Sequence, residues 1–234
     1  MIAHATATCS ALALWHAGES WAARPNYLAY FNAFAGGTPN GWRHLVDSSL
    51  DWGQDLPGLK TWLDAHAPGE KVFLAYFGTG DPAHEGIRAT MLPSVPNFGP
   101  NPPRRALAAG VYAVSATMLQ QVYGPTGGAW TPANEREYQE LRAREPFFRE
   151  FWEAPSIRDE LQRLGTAKTF AQSWQRYDAL RLARLTAYLR ARQPEAMIGY
   201  SILIYRLSEA EVNAAVNGPY SVWLEAIAKI RDQD

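Results

Sequence analysis

Residues 71–77 constrain the fold of this chain more than any other segment. Residues 72–77 are apolar at every position, whereas a strand with one wet face alternates apolar and polar residues. A strand of this kind must be covered on both faces, as in the centre of a parallel sheet. Residues 110–115 and 197–207 have a similar composition and predict two further central strands.

Helical patterns occupy the chain between these strands. Leucines recur at helical spacing in residues 56–67, and further helical patterns run between about residues 130 and 195. The charged stretch 135–149 predicts a solvated helix in which Glu137 can pair with Arg142. We therefore predict an α/β fold: a three-layer domain with a mostly parallel central sheet and helical insertions.

The amino-terminal segment differs in character from the rest of the chain. Residues 1–17 are mostly apolar and small, without the leading basic residues of a secretory signal. They predict either an amphipathic start helix or the end of a longer membrane helix, and we expect residues 1–23 to be the latter. Residues 24–234 are then a single α/β domain, in which the Gly- and Pro-rich residues 78–109 form a long loop.

Composition excludes several classes of function. The formal net charge is −1, from 22 basic and 23 acidic residues, so no global field attracts nucleic acid. Cys9 is the only cysteine, which rules out an internal disulfide and a cysteine-based zinc site. No cofactor is indicated, because Gly36-Gly37 does not join a strand to a helix as a phosphate-binding loop does. No metal is indicated either, since the histidines lack ligand spacing: His44, His66 and His84.

Residues 47–55 form the richest cluster of functional side chains. They combine three carboxylates, an amide, two hydroxyls and an indole in nine positions. The short apolar pair Leu45-Val46 precedes them and predicts a strand, which would put this run at the carboxyl end of the sheet, where ligands bind. The candidate ligand-binding residues are Asp47, Ser48, Asp51, Trp52, Gln54 and Asp55, with Glu85 from the following loop.

Three kinds of chemistry suit these residues. Carboxylates and an amide beside an indole can hold a sugar by hydrogen bonds and ring stacking. Asp51 and Glu85 could instead hydrolyse a glycosidic bond, if their carboxyl groups lie about 5–9.5 Å apart. A divalent cation on Asp47, Asp51 and Asp55 is the weakest of the three, because the spacing matches no calcium loop.

A purely structural role for the same run is the competing interpretation. Asp55 precedes Leu56 and Pro57 and can cap a helix. Asp47 and Ser48 can bond neighbouring amides in a turn, and Trp52 can cover the sheet edge.

A set of short motifs, in order along the chain, resembles one known family. The motifs are residues 27–32, Gly36-Gly37, residues 47–55, 76–78, 110–116 and 198–201. Together they resemble the soluble carboxyl-terminal region of bacterial multi-pass glycosyltransferases that use a lipid-phosphate sugar donor, related to the protein mannosyltransferases. The resemblance covers most of residues 24–207. It departs from the family at Ser49, where the family has Asn, and this departure removes one amide.

The resemblance implies an extracytoplasmic (periplasmic), membrane-associated domain tethered through preceding membrane helices. In that family the catalytic acid lies between early membrane helices, so the resemblance implies that this chain lacks the transferase centre. Its role would then be that of an accessory or acceptor-binding domain, with a glycan or lipid-linked sugar as partner. The alternative from another class is a stand-alone carbohydrate-active hydrolase that uses paired carboxylates.

Overall fold

A five-stranded sheet forms the centre of the fold. The computed structural model describes residues 2–95 and 106–224. The strands lie in the order β2-β1-β3-β5-β4. β1 is parallel to β2 and β3, whereas β5 is antiparallel to both of its neighbours, so four of the five strands share one direction. The strands are β1 (Val72–Ala75), β2 (Thr90–Met91), β3 (Gly110–Ser115), β4 (Ala196–Ile198) and β5 (Ile202–Leu207).

This arrangement confirms the predicted α/β class and a mostly parallel sheet. β1 and β3 are buried on both faces, as their uninterrupted apolar sequences require. The rings of Phe73 and Tyr112 stack in one core with centroids 4.6 Å apart. Leu74 and Ala113, one residue further along each strand, contribute to the other core.

Helices cover both faces of the sheet. α2 packs Leu56, Leu59 and Leu63 against the core that contains Leu74, because residues at this spacing share one helix face. α7 and α8 lie against the core that contains Phe73. The helices are α1 (Ile2–Ala22), α2 (Leu56–His66), α3 (Ala116–Leu119), α4 (Pro132–Arg142), α5 (Glu145–Glu153), α6 (Pro155–Arg163), α7 (Ala167–Arg190) and α8 (Glu209–Val216).

The predicted helical insertions form a separate aromatic core around α7. Arg184 is fully buried in it and makes a bidentate ion pair with Glu135. Its remaining N–H groups donate to the carbonyl oxygens of Ala215 and Gly218. These bonds satisfy a charge that burial alone would make very costly. The aromatic members of this core include Trp130, Tyr138, Phe148, Trp174, Tyr177 and Trp223.

Three expectations about local structure are wrong. Leu45-Val46 is not a strand but a short irregular link between two 3₁₀ turns. Residues 197–207 form a hairpin of two strands rather than one strand, because residues 199–201 form a tight turn in which Gly199 and Tyr200 adopt positive φ. The charged stretch 135–149 belongs to two helices, and Glu137 pairs with Arg176 instead of Arg142.

The Gly- and Pro-rich segment contains little regular structure where it is described. β2 pairs with β1 at the sheet edge, and Phe77 forms an isolated parallel bridge with Val95. Residues 96–105, which include most of the prolines of this predicted loop, lie outside the described residues.

α1 exposes large apolar side chains along much of its described length. Leu14 and Trp21 are both 74% exposed. The ring of Trp15 stacks on that of Phe34, which joins α1 to the 3₁₀ turns after it. Across residues 2–95 and 106–224, none of the helices combines the length and the apolar content that a bilayer crossing requires.

Candidate functional site

The run 47–55 packs against the carboxyl ends of the parallel strands. The carbonyl oxygen of Trp52 accepts hydrogen bonds from the N–H and the hydroxyl of Thr79, which follows β1. The N–H of Asp47 donates to the hydroxyl of Thr117, just beyond β3, at 2.8 Å. The run therefore lies at the predicted edge, although it reaches that edge from a 3₁₀ turn (Asp47–Ser49) and not from a strand of its own.

Asp51 lies at the bottom of this run and is only 1% exposed. Its Oδ1 accepts a hydrogen bond from the Gly53 N–H at 2.7 Å, while its buried Oδ2 has no hydrogen-bond partner among the described residues. Burial, with a smaller contribution from the nearby Asp55 carboxylate, raises the pKa of Asp51 from 3.8 to about 6. The Gly53 N–H acts in the opposite direction. Asp51 is thus a carboxyl group that holds its proton more firmly than usual.

Asp55 occupies the N-cap position of α2, as predicted, but its side chain makes no capping hydrogen bond. Its carboxylate instead accepts hydrogen bonds from the Ser201 hydroxyl and from Nε2 of Gln54. Ser201 lies in the turn between β4 and β5, 146 residues further along the chain. Burial raises the pKa of Asp55, and the Ser201 and Gln54 hydrogen bonds oppose this rise. The capping interpretation therefore does not account for this carboxylate.

Two glycines allow the run to approach the end of β1. A Cβ atom on Gly53 or on Gly78 would come within 2.6 Å of the Tyr76 hydroxyl oxygen, closer than real contacts allow. Burial raises the pKa of the Tyr76 hydroxyl, and the charges of Asp51, Asp55 and Glu85 raise it further. Glu85 therefore lies within electrostatic reach of the same hydroxyl, on the loop after β1.

Above these buried groups lies an exposed polar and aromatic rim. Trp52 is 53% exposed, and its indole N–H donates to the carbonyl oxygen of Ser48 at 3.1 Å. The hydroxyl of Tyr123 donates to Oδ2 of the half-buried Asp47 at 2.6 Å. The exposed Tyr123 ring stacks on Phe77 with an interplanar angle of 7°. Two aromatic rings thus flank the 47–48 turn.

The side chain of Gln54 stabilises the backbone of the run itself. Oε1 of Gln54 accepts a hydrogen bond from the Trp52 N–H at 2.8 Å, and its Nε2 donates to the carbonyl oxygen of Leu50 at 3.2 Å. These bonds give Gln54 the structural role that the competing interpretation describes. Trp52 is 53% exposed and so is not buried against the sheet edge. No described residue donates a hydrogen bond to the second oxygen of Asp51.

The three aspartates of the predicted cation site turn towards different partners. Asp47 faces Tyr123, Asp51 faces Gly53, and Asp55 faces Ser201. Within residues 2–95 and 106–224, no group of three or more potential ligand side chains is arranged to hold a metal ion. The arrangement is therefore one of hydrogen-bonding groups and aromatic rings.

Sequence reasoning missed three members of the site. Ser201 is fully buried and was not among the predicted site residues, so its contact with Asp55 was not foreseen. Tyr76 lies in the motif 76–78 and Tyr123 lies in none of the motifs, but neither tyrosine was assigned to the site. The signal for Tyr76 was its position at the end of a central strand, two residues before Gly78.

Comparison of the chain with protein-family models, with curated proteins and with solved structures finds no match.

Proposed function

We propose that this chain is the extracytoplasmic accessory or acceptor-binding domain of a membrane glycosyltransferase that uses a lipid-phosphate-linked sugar donor. The observation that carries the proposal is the exposed rim, where the Tyr123 hydroxyl donates to the carboxylate of Asp47 and the indole N–H of Trp52 donates to the carbonyl oxygen of the neighbouring Ser48. Flat aromatic faces beside hydrogen-bonding oxygens suit the apolar and hydroxyl faces of a sugar. The resemblance of residues 24–207 to such domains points to the same class of partner.

The buried layer beneath the rim supports binding more than hydrolysis. A glycosidase needs two carboxyl groups that flank the bond to be broken. Asp51 is enclosed, and its Oδ1 accepts a hydrogen bond from the loop backbone at Gly53. A substrate would have to displace residues 51–53 to reach it, so the hydrolase alternative has less support.

Membrane association is the second part of the proposal. Leu14, Trp15 and Trp21 are exposed on α1, and the 3₁₀ turns that follow expose Tyr27 and Phe34. Aromatic and aliphatic side chains in this density favour the boundary between water and lipid. We also propose that α2 on one face of the sheet, with α7 and α8 on the other, makes this a three-layer domain.

A glycan titration tests the first part. The chain is titrated with neutral hexose and N-acetylhexosamine oligosaccharides, and backbone amide shifts are followed by NMR. We expect a saturable response in residues 47–55 and about tenfold weaker binding in Trp52→Ala. Phe147→Ala removes a similarly exposed ring from α5 and serves as the matched control. Absence of saturation with every oligosaccharide contradicts the proposal, as does equal loss in both variants.

Vesicle co-sedimentation tests the second part. With phosphatidylethanolamine–phosphatidylglycerol vesicles, we expect the chain to pellet and the double variant Leu14→Ser, Trp15→Ser to remain largely in the supernatant. Phe147→Ser should pellet as the unaltered chain does. Membrane association through α1 is refuted by an unaltered chain that stays in solution.

A further inference from the structure

A cavity of about 90 Å³ lies at the edge of the sheet opposite Asp51. It is bounded by the segment before β3 and by helices α4, α7 and α8. Its floor includes the buried Arg181, Tyr138 and Val212, and its rim includes the exposed Asn213 and Asn217. We call it the Arg181 cavity. Its volume has room for several water molecules or for a ligand of a few heavy atoms.

Arg181 is the unusual member of this floor. Its side chain is 6% exposed, and its Nη2 donates to Oδ1 of Asp178. The buried Nη1 has no hydrogen-bond partner among the described residues. A buried, charged donor without an acceptor is costly, and a natural protein rarely tolerates one without a reason. The cavity beside the guanidinium provides space for the missing acceptor.

The electrostatic surroundings of the floor are positive. Burial raises the pKa of the Tyr138 hydroxyl, but Arg181, Arg184 and Arg142 all act in the opposite direction. Three acidic groups face the region, and a fourth, Glu135, is paired with Arg184. Glu145 accepts a hydrogen bond from the hydroxyl of Tyr177, which lines the cavity. Asp178 is already paired with Arg181, and Glu209 accepts a hydrogen bond from the Ala109 N–H at 2.8 Å. Glu209 lies at the exposed rim, where solvent screens its charge, so the floor favours an anion.

We propose that the Arg181 cavity binds a small aliphatic carboxylate. The carboxylate accepts hydrogen bonds from Nη1 of Arg181, and the short aliphatic part packs against Val212 and Val216. Amide groups of Asn213 and Asn217 close the mouth. Guanidinium–carboxylate hydrogen bonds are among the strongest that proteins make, which is the reason for choosing this ligand class.

The test is an NMR titration of the complete chain with propionate, and with propionamide as the uncharged isostere, at constant ionic strength. We expect saturable shifts at the amides of α8, a roughly millimolar dissociation constant for propionate, and at least about tenfold weaker binding of propionamide. The variant Arg181→Met should also lose at least about tenfold in propionate affinity.

A second pair of variants covers the case in which Arg181→Met does not fold. Asn213→Trp places an indole at the mouth and should abolish the response, whereas Ala210→Trp, on an exposed position of α8 outside the cavity lining, should keep it. The proposal is overturned if propionate gives no saturable shift up to about 100 mM, which would mean a cavity filled by water only. It is also overturned if propionamide binds equally well or if Asn213→Trp retains the response.

Discussion

Replacement of Asp51 by Asn should stabilise the fold at neutral pH. Burial raises the pKa of Asp51 to about 6, against an ordinary value of 3.8. The unfolded chain therefore releases this proton near pH 4, while the folded chain keeps it until about pH 6. Between these values the folded state binds more protons than the unfolded state, so this group lowers the stability as the pH rises. Above about pH 6 the full cost is present and constant.

The size of the effect follows from the difference in pKa. A difference of roughly two pKa units corresponds to about 3 kcal/mol of folding free energy. Asn keeps an oxygen for the Gly53 N–H, and its amide can donate towards the Asp55 carboxylate, although any imperfect fit lowers the gain. We therefore expect Asp51→Asn to raise the free energy of unfolding by about 1–3 kcal/mol at pH 7.5, with little or no gain at pH 4.

Urea denaturation followed by circular dichroism, at four pH values from about 4 to 7.5, measures this difference. Asp55 also has a raised pKa, so the difference between the two chains, and not the slope of either alone, isolates Asp51. Asp64→Asn on α2 changes a carboxylate with 64% side-chain exposure and should stay within about 0.5 kcal/mol of the unaltered chain. An Asn variant that is less stable at pH 7.5, or whose gain is the same at pH 4, would refute the reasoning.

Three further substitutions test the packing that holds the two sites, each by the same urea assay. Arg184→Met should lower the free energy of unfolding by about 3–5 kcal/mol, because it removes the fully buried ion-pair partner of the partly buried Glu135 and the donor to two carbonyl groups. The exposed Arg163→Met should lower it by less than about 0.5 kcal/mol. Gly53→Ala should lower the free energy of unfolding by more than about 2 kcal/mol, because the φ of Gly53 is +102° and the new Cβ would meet the Tyr76 hydroxyl. Gly69→Ala is the control: its φ is +77° but its Cβ would lie in open space, so the loss should be about 1 kcal/mol. Ser208→Ala removes the oxygen that caps α8 and should cost about 1 kcal/mol.

The sequence predicted the buried elements of the fold best. β3 spans the predicted residues 110–115, and α2 begins at the predicted Leu56 and ends one residue before the predicted 67. These elements are long or uniformly apolar, so burial alone determines them. The hairpin at Gly199-Tyr200 was missed because composition does not separate one buried strand from two that are joined by a tight turn. A tyrosine at positive φ carries no sequence signal.

The candidate site was predicted in its location but not in its contacts. The density of polar groups in residues 47–55 gave the position, while the partners of Asp47 and Asp55 are Tyr123 and Ser201, 76 and 146 residues away. Pairings across such separations depend on the order of strands in the sheet. A single sequence provides no means of reading that order.

The two borders of the sheet have a consequence for self-association. β2 and β4 are the outermost strands and contain two and three residues. Edge strands this short have few unpaired backbone groups with which a strand from a second copy of the chain could pair. We therefore expect concentrated solutions of this protein to resist fibril formation. Any self-association should proceed through the exposed apolar side chains of α1.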